Sequence, residues 1–261
     1  MWSARRCNSV FGNMENILQQ IVADKRLELE TAKLKLPFSE LERQLQNAER
    51  RMPVSLSGSI LQSDNGIIAE FKRRSPSKGN IRKEARVEEV IPFYQQKQVA
   101  GISVLTNTKY FGGSLDDLKK ARSLTNLPLL RKEFVIDSYQ IVEAALAGAN
   151  AILLIAACLT RQQVKEYAQL ANSLNLEVLL EVHQESELDY YGEHIQILGV
   201  NNRDLTTFQT DIAHSLQLAD KLPTSVVRIS ESGIQNAMQM QTLRDAGFQG
   251  FLIGEQMMHS F

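Results

Sequence analysis

Residues 127–181, LPLLRKEFVIDSYQIVEAALAGANAILLIAACLTRQQVKEYAQLANSLNLEVLLE, decide the fold. Three short apolar runs, at 127–130, 151–155 and 178–181, are separated by two amphipathic stretches of helical period. The second amphipathic stretch begins with TRQQ at 160–163, which has the spacing of a helix capping box. A strand followed by a helix is the repeating unit of parallel α/β folds, so this stretch predicts consecutive βα units.

The same alternation continues on both sides of this stretch. Five further apolar runs lie at 67–71, 102–105, 197–200, 226–229 and 250–253. Eight βα units within roughly 200 residues predict an α/β fold of the (β/α)8 TIM-barrel type. An open doubly wound sheet is the alternative, since its strands would be equally apolar. No G-x-G-x-x-G follows any of the runs, so the fingerprint of a dinucleotide-binding sheet is missing.

A helical extension precedes the first strand. Residues 14–51 place Leu18, Ile21 and Leu29 on one helical face, and Pro37 interrupts the pattern. We therefore expect two N-terminal helices outside the eight βα units.

The domain boundaries follow from this arrangement. We expect one barrel domain over residues 14–261, which includes the helices of 14–51 and a short eighth helix. Residues 1–13 contain two arginines and no acidic residue, a weak likeness to a transit peptide. We interpret them as an extension without an assigned role, because Met14 would be a natural start. After Gly254 only seven residues remain, so we expect a trimmed or naturally short chain with one barrel flank exposed and stability reduced.

Composition excludes several classes of protein. Hydrophobic residues make up 43% of the 261 residues, enough for a large core. The formal net charge of −1 provides no global attraction to nucleic acid or to an acidic membrane. No apolar run approaches the roughly 20 residues that span a bilayer. The two cysteines and four histidines lack the spacing of a disulfide framework or a metal site, so we expect a cytoplasmic protein without a metal.

Polar residues follow almost every apolar run. In a barrel of this type the active site lies at the carboxyl ends of the strands. A single charge after a strand is usually a solvated loop charge, but six strand ends together indicate a functional mouth. Because side chains alternate along a strand, Glu70 and Lys72 should share a face, and Lys132 should share one with Leu130. The candidates at the strand ends are Glu70, Lys72, Thr106, Lys132, Glu181, Asn201, Arg203, Glu231, Ser232, Gly254 and Glu255.

Two loops and one basic segment indicate a phosphorylated small-molecule substrate. Glycine turns at helix starts bind anions through backbone N–H groups, and the loops after strands seven and eight commonly supply them. Here these loops read SESGI at 230–234 and IGE at 253–255. The basic segment 72–78, KRRSPSK, fits a loop that covers an anionic substrate. A nucleic-acid site is the weaker alternative, because no aromatic residues interleave with these basic ones.

The chain resembles one family, indole-3-glycerol phosphate synthase, from about residue 14 to residue 254. The most specific motif is IAEFKRRSPS at 68–77. It is supported by KYFGGS at 109–114, LRKEF at 130–134, LEV at 180–182, GVNNRDL at 199–205, ESGI at 231–234 and FLIGE at 251–255. The resemblance implies ring closure of 1-(2-carboxyphenylamino)-1-deoxyribulose 5-phosphate with loss of carbon dioxide and water, without a cofactor. The enzyme would be a carboxy-lyase of tryptophan biosynthesis.

The resemblance also implies roles for individual residues. Lys132 would protonate the ketone oxygen, Glu181 would be the base of the dehydration, and Lys72 would hold the substrate carboxylate. Orientation of these groups and of substrate hydroxyls would fall to Glu70, Asn201 and Glu231. The phosphate site would comprise Ser75, Ser232, Gly233, Gly254 and Glu255, while Phe111, Phe134 and Arg203 would surround the aromatic ring and the closing loops.

Some expectations go beyond the family pattern. Nearby Lys72 could lower the pKa of Lys132 and make it a better acid. Asn107 and Thr108 stand where acidic residues are usual, and Glu133 stands where aspartate is usual, which bears on local hydrogen bonding. We expect a monomer, with weak self-association as the alternative. The rival functions are an aldolase that forms a Schiff base through a lysine and a barrel without catalysis that serves as a scaffold.

Overall fold

The computed structural model describes residues 15–48, 54–204 and 207–261. The extension predicted for residues 1–13 lies outside these ranges. No helix within them is long and apolar enough to cross a membrane.

Eight parallel strands close into a barrel, as the sequence predicts. Apart from a small antiparallel sheet of Arg74–Ser75 with Gly79–Asn80, each strand pairs with its sequence neighbours and the last pairs with the first, so the barrel has no free edge. The open doubly wound sheet is therefore excluded. The strands are β1 Ile67–Phe71, β2 Gly101–Leu105, β3 Leu129–Lys132, β4 Ala151–Ile155, β5 Glu177–Val182, β6 Ile197–Asn201, β7 Val227–Glu231 and β8 Gly250–Ile253.

Helices surround the barrel and precede it. The expected break at Pro37 separates the first two. The helices are α1 Glu15–Lys35, α2 Phe38–Asn47, α3 Leu56–Gln62, α4 Val87–Gln96, α5 Thr108–Phe111, α6 Leu115–Leu124, α7 Ser138–Ala147, α8 Arg161–Ser173, α9 Ala213–Leu218, α10 Ala237–Asp245 and α11 Glu255–Ser260. The capping box predicted at Thr160 is present at the start of α8, where its side chain accepts from the Gln163 N–H.

The helix α3, which lies beyond the predicted helical range 14–51 and was not predicted, forms the floor of the barrel. Its Leu56 and Ile60 are buried among the inward side chains of the strands. Glycines admit them, because a Cβ on Gly101 would lie 2.5 Å from Leu56 Cδ1 and one on Gly250 would lie 3.1 Å from Ile60 Cγ2. The opposite end of the barrel, at the carboxyl ends of the strands, is left as the accessible mouth.

The short C-terminal helix covers more of the barrel than expected. Met258 of α11 is fully buried and receives a hydrogen bond from the Tyr94 hydroxyl, while the Phe261 ring packs edge-on against Phe93. The side chain of Phe251 on β8 is also fully buried. The prediction of an exposed flank is therefore wrong for this strand, because few residues suffice when they carry large apolar side chains. The predicted loss of stability stays a prediction.

Candidate active site

Lys132 lies at the centre of the mouth, between carboxylates from two other strands. Its Nζ is 2.5 Å from Glu231 Oε2 and 3.2 Å from Glu181 Oε2. The carboxylates are buried: Glu70 is 5% exposed, Glu181 4% and Glu231 1%. These side chains converge because inward positions at one height of such a barrel come from alternate strands, here β1, β3, β5 and β7.

The charge state of Lys132 is set by its acidic neighbours. Burial disfavours the ammonium form, but the charges of Glu231, Glu181 and Glu70 outweigh burial and hold the pKa of Lys132 above its usual value. The expectation that nearby Lys72 lowers this pKa is therefore wrong. The sequence places the two lysines at the ends of the first and third strands but does not reveal that the charges of three carboxylates act on Lys132. Lys132 is protonated at neutral pH, and a protonated amine does not attack a carbonyl to form a Schiff base.

The carboxylates of the cluster differ in their charge state. Burial tends to raise the pKa of Glu181, but Lys132, His183 and a hydrogen bond from Asn201 together hold it below the usual value. Burial also disfavours the charge on Glu231, and although Lys132 opposes this, the pKa of Glu231 is raised to about 7. Glu181 is thus ionised at neutral pH, while Glu231 can hold a proton there.

A second pair lies beside this cluster. The Lys72 Nζ is 2.6 Å from Glu70 Oε1, and both side chains point inward, as the period of two predicts. Burial raises the pKa of Glu70, but Lys72 and Lys132 lower it more. Gly254 leaves room for the pair, since a Cβ there would lie 2.4 Å from Glu70 Oε1 and 2.7 Å from Lys72 Nζ.

The loop after β7 has the backbone shape of an anion site. Ser232 and Gly233 both have positive φ, 68° and 76°, which turns their backbone toward the mouth. A left-handed conformation costs a residue such as serine on the order of 1–3 kcal/mol, and such strain is concentrated at functional sites. Gly254 immediately precedes α11, so the first backbone N–H groups of this short helix lie in the loop after β8.

The basic segment folds over the mouth. Arg203, after β6, donates from Nη1 to Ser77 Oγ at 2.9 Å, and Lys78 Nζ lies 3.7 Å from Glu255 Oε1. Ser75 is buried and accepts a hydrogen bond from the Lys78 backbone N–H at 3.2 Å. These contacts join the loop after β1 to the loops after β6 and β8.

The aromatic pair lies on the other side of the mouth. The rings of Phe111 and Phe134 are 6.1 Å apart between centroids and are inclined by 36°. Glu133, one of the departures from the family pattern, is buried beside them and accepts from the Thr106 hydroxyl and from Asn107. A longer acidic side chain is accommodated there because Lys25 of α1 reaches it, with Nζ 3.2 Å from Glu133 Oε2.

A cavity of about 830 Å³ occupies the mouth. Its lining includes most of the residues that the sequence predicts for the site: Glu70, Lys72, Lys132, Arg203, Glu231, Ser232, Gly233, Gly254 and Glu255. Glu181 lies behind this surface and reaches it through Lys132, and Asn201 lies behind it with Glu181. Ser75, Phe111 and Phe134 are also outside the lining. Within the described ranges, no cluster of three or more histidine, cysteine or acidic residues has the arrangement of a metal site.

Sequence reasoning missed two residues of the site. Gly199 of β6 pairs in register with Glu181, and a Cβ there would lie 2.3 Å from Glu231 Oε1. His183 follows Glu181 by two residues, so the same alternation that selected Lys72 would have selected it. The spacing of the four histidines, which lacks the pattern of a metal site, gives no signal for it.

A closed parallel barrel with a protonated lysine among buried carboxylates at its mouth defines an acid–base enzyme of the (β/α)8 class. A family model described as indole-3-glycerol phosphate synthase matches residues 18–261. The chain belongs to the indole-3-glycerol phosphate synthase family, which confirms the family and the enzyme class predicted from the sequence.

Individual relatives agree with this assignment. The indole-3-glycerol phosphate synthase of Bacteroides thetaiotaomicron is 47% identical over 247 residues, which cover 94% of each chain. That of Carboxydothermus hydrogenoformans is 40% identical over 93% of this chain and 95% of its own. The N-acetylmannosamine-6-phosphate 2-epimerase of Clostridium perfringens, at 12% identity and a TM-score of 0.60, covers 80% of this chain and 93% of its own. This last likeness concerns the fold alone.

Proposed function

We propose that this chain closes the indole ring of 1-(2-carboxyphenylamino)-1-deoxyribulose 5-phosphate, releasing carbon dioxide and water to give indole-3-glycerol phosphate. The observation that carries the proposal is Lys132, a buried cation within hydrogen-bond distance of two carboxylates at the barrel mouth. The reaction needs a proton donor at the ketone oxygen and, later, a base that removes a proton. This cluster supplies both.

Lys132 acts as the general acid. As the aromatic carbon attacks the ketone, negative charge develops on the oxygen, and the Lys132 ammonium neutralises it by donating a proton. A raised pKa does not prevent this step, because the developing alkoxide is a far stronger base than the amine of Lys132. Positioned proton transfer of this kind contributes about 10²- to 10⁴-fold to the rate.

Glu181 acts as the base of the last step. After decarboxylation restores the aromatic ring, Glu181 takes a C–H proton from the intermediate while Lys72, free of the lost carboxylate, protonates the hydroxyl, which departs as water. The lowered pKa of Glu181 keeps its carboxylate available for that proton. Asn201 donates a hydrogen bond to Glu181 and orients it, while Glu231 and Glu70 hold the lysines and bind substrate hydroxyls.

The remaining residues bind the two ends of the substrate. Lys72 pairs with the substrate carboxylate. The backbone N–H groups of the turn at Ser232 and Gly233, with those near Gly254, bind the phosphate, and the loop residues Ser75 and Glu255 complete that end. Phe111, Phe134 and Arg203 enclose the aromatic ring and fasten the loops that close over it.

The proposal extends to the organisation of the protein. One barrel domain over residues 14–261 carries the whole activity, as a cytoplasmic monomer, without a cofactor or metal. It acts on a small phosphorylated molecule and on neither nucleic acid nor a membrane.

The decisive experiment supplies the carboxyphenylamino substrate to purified protein and follows the appearance of indole fluorescence. We expect turnover in buffer that contains a chelator and no added cofactor. Absence of indole fluorescence from a protein that shows a cooperative thermal transition would favour a scaffold without catalysis. Trapping with borohydride and a keto-phosphate would give a covalent adduct only with an aldolase.

Gly199 leaves room for the Glu231 carboxylate to approach Lys132. In Gly199→Ala we expect kcat to fall by about 10²-fold, because displacing a catalytic group by roughly 1 Å costs that much. The new Cβ would stand 2.3 Å from Glu231 Oε1 in the present arrangement, so the carboxylate must move. The measurement is steady-state indole formation.

A matched control is Gly192→Ala, since nothing lies within 4 Å of a Cβ at that position. It should keep the parental kcat. Equal kcat in the two variants would contradict the role given to the close approach at Gly199.

A further inference from the structure

His183 is buried beside Glu181 and has no assigned role. It lies two residues beyond Glu181 on the same inward face, and the residue is 8% exposed. Its Nε2 is 3.6 Å from Glu181 Oε1, slightly beyond a hydrogen bond. Both ring nitrogens are fully buried and lack a hydrogen-bond partner within residues 15–48, 54–204 and 207–261.

The main chain of His183 is fixed on both sides. Its backbone N–H donates to Glu187 Oε2 at 2.5 Å, and its carbonyl oxygen accepts from His214 Nε2 at 2.7 Å. These contacts occupy the backbone and leave the imidazole aimed at Glu181. Because a buried polar group without a partner is costly, a ring held in this way has a use in another state of the site.

The two oxygens of Glu181 face different partners. Oε2 lies 3.2 Å from Lys132 Nζ, while Oε1 faces His183. When Lys132 turns to the ketone oxygen of the substrate, Glu181 loses the hydrogen bond to Oε2. Asn201 still donates a hydrogen bond to Glu181, but a buried carboxylate that has lost its nearest cation binds a proton more readily and is then no longer a base.

We propose that His183 is the positioning residue for Glu181 during turnover. Its Nε2–H closes the remaining gap to Oε1 when Lys132 is engaged with substrate, so that Glu181 stays ionised with Oε2 directed at the proton that it removes. This inference rests on the proposed function and adds a residue to it. His183 does not contact the reacting atoms, since it acts through Glu181.

The other titratable groups near His183 do not compete for its imidazole ring. Glu187 is committed to the backbone N–H of His183, and His214 to its carbonyl. Cys158 is a thiol whose pKa burial raises to about 12, so it carries no charge at neutral pH. The titratable groups around Glu181 and His183 are Lys132, Glu231, Glu70, Glu187, His214 and Cys158. Glu231 and Glu70 repel the charge on Glu181, and Lys132 is the group that turns away to the substrate during catalysis.

The test compares His183→Leu with His183→Gln, whose side-chain amide keeps an N–H donor near the position of Nε2. We expect the leucine variant to lose about 10- to 100-fold in kcat, the usual effect of removing a group that orients a functional one, with KM nearly unchanged. The acid limb of its pH–kcat profile should move to higher pH, because Glu181 without the His183 donor holds a proton more tightly. The glutamine variant should recover most of the lost kcat.

A double mutant separates this inference from the proposed function. If His183 acts through Glu181, adding His183→Leu to Glu181→Gln should cause little further loss of kcat. Additive losses, an unmoved acid limb, or equal losses in the leucine and glutamine variants would overturn the inference. A Glu181→Gln variant that keeps the parental kcat would instead refute the base assigned in the proposed function. Thermal melting of each variant identifies any loss that arises from unfolding.

Discussion

Replacing Lys132 by methionine should lower kcat by about 10²- to 10⁴-fold, since the ketone oxygen then lacks its proton donor. The change also acts on the neighbours. Lys132 is the strongest attraction that holds down the pKa of Glu181, so without it Glu181 binds a proton more readily. Acid and base are then weakened together. The measurement is the rate of indole formation under saturating substrate.

Lys132→Arg distinguishes proton transfer from electrostatics. Arginine keeps a positive charge among the carboxylates but does not give up a proton at accessible pH. We expect this variant to keep more of the thermal stability than Lys132→Met and to stay far below the parent in kcat. An arginine variant whose pH–rate profile matches that of the parent would refute the general-acid role. Lys165→Met, on the exposed side of α8, is the matched control and should have parental kcat.

Replacing Glu181 by glutamine should lower the rate of indole formation by a similar factor, about 10²- to 10⁴-fold, while an earlier product still forms. Ring closure and decarboxylation precede the step that needs this base. With enzyme in excess over substrate, we therefore expect carbon dioxide release to outpace the appearance of indole. The measurement follows both products within one turnover.

The parent enzyme should release carbon dioxide and form indole at the same apparent rate if decarboxylation limits both. A Glu181→Gln variant in which both products slow by the same factor would place the action of Glu181 before decarboxylation, contrary to the proposal. Glu193→Gln, in an exposed loop, is the control for removal of a carboxylate. It should leave both rates unchanged.

The barrel could be predicted from the sequence because each strand and helix is indicated by its own short segment. Each apolar run and each helical stretch can be recognised alone, and eight of them in order leave few arrangements. The floor helix α3 was not recognised as a separate element, since a seven-residue helix presents too few turns for a period to show. The covered flank at α11 depended on which side chains Met258 and Phe261 meet, which spacing does not reveal.

The site was predictable in membership and less so in its energetics. Alternation along each strand was enough to bring Glu70, Lys72 and Lys132 into one mouth. The direction of the Lys132 pKa depended on which charges lie nearest across the barrel, and three carboxylates outweigh one lysine. The role of Gly199 depended on empty space beside Glu231, a property of two strands that neither strand's sequence contains.

The floor formed by Leu56 and Ile60 has a consequence for the traffic of small molecules. A barrel closed at one end is open only at its mouth, so the substrate enters where carbon dioxide, water and the indole product leave. Carbon dioxide is released before the product forms, so it must pass the bound intermediate or leave together with the product. The departing product and the next substrate also compete for one passage. The floor that stabilises the barrel therefore requires the product to leave before the next substrate can bind.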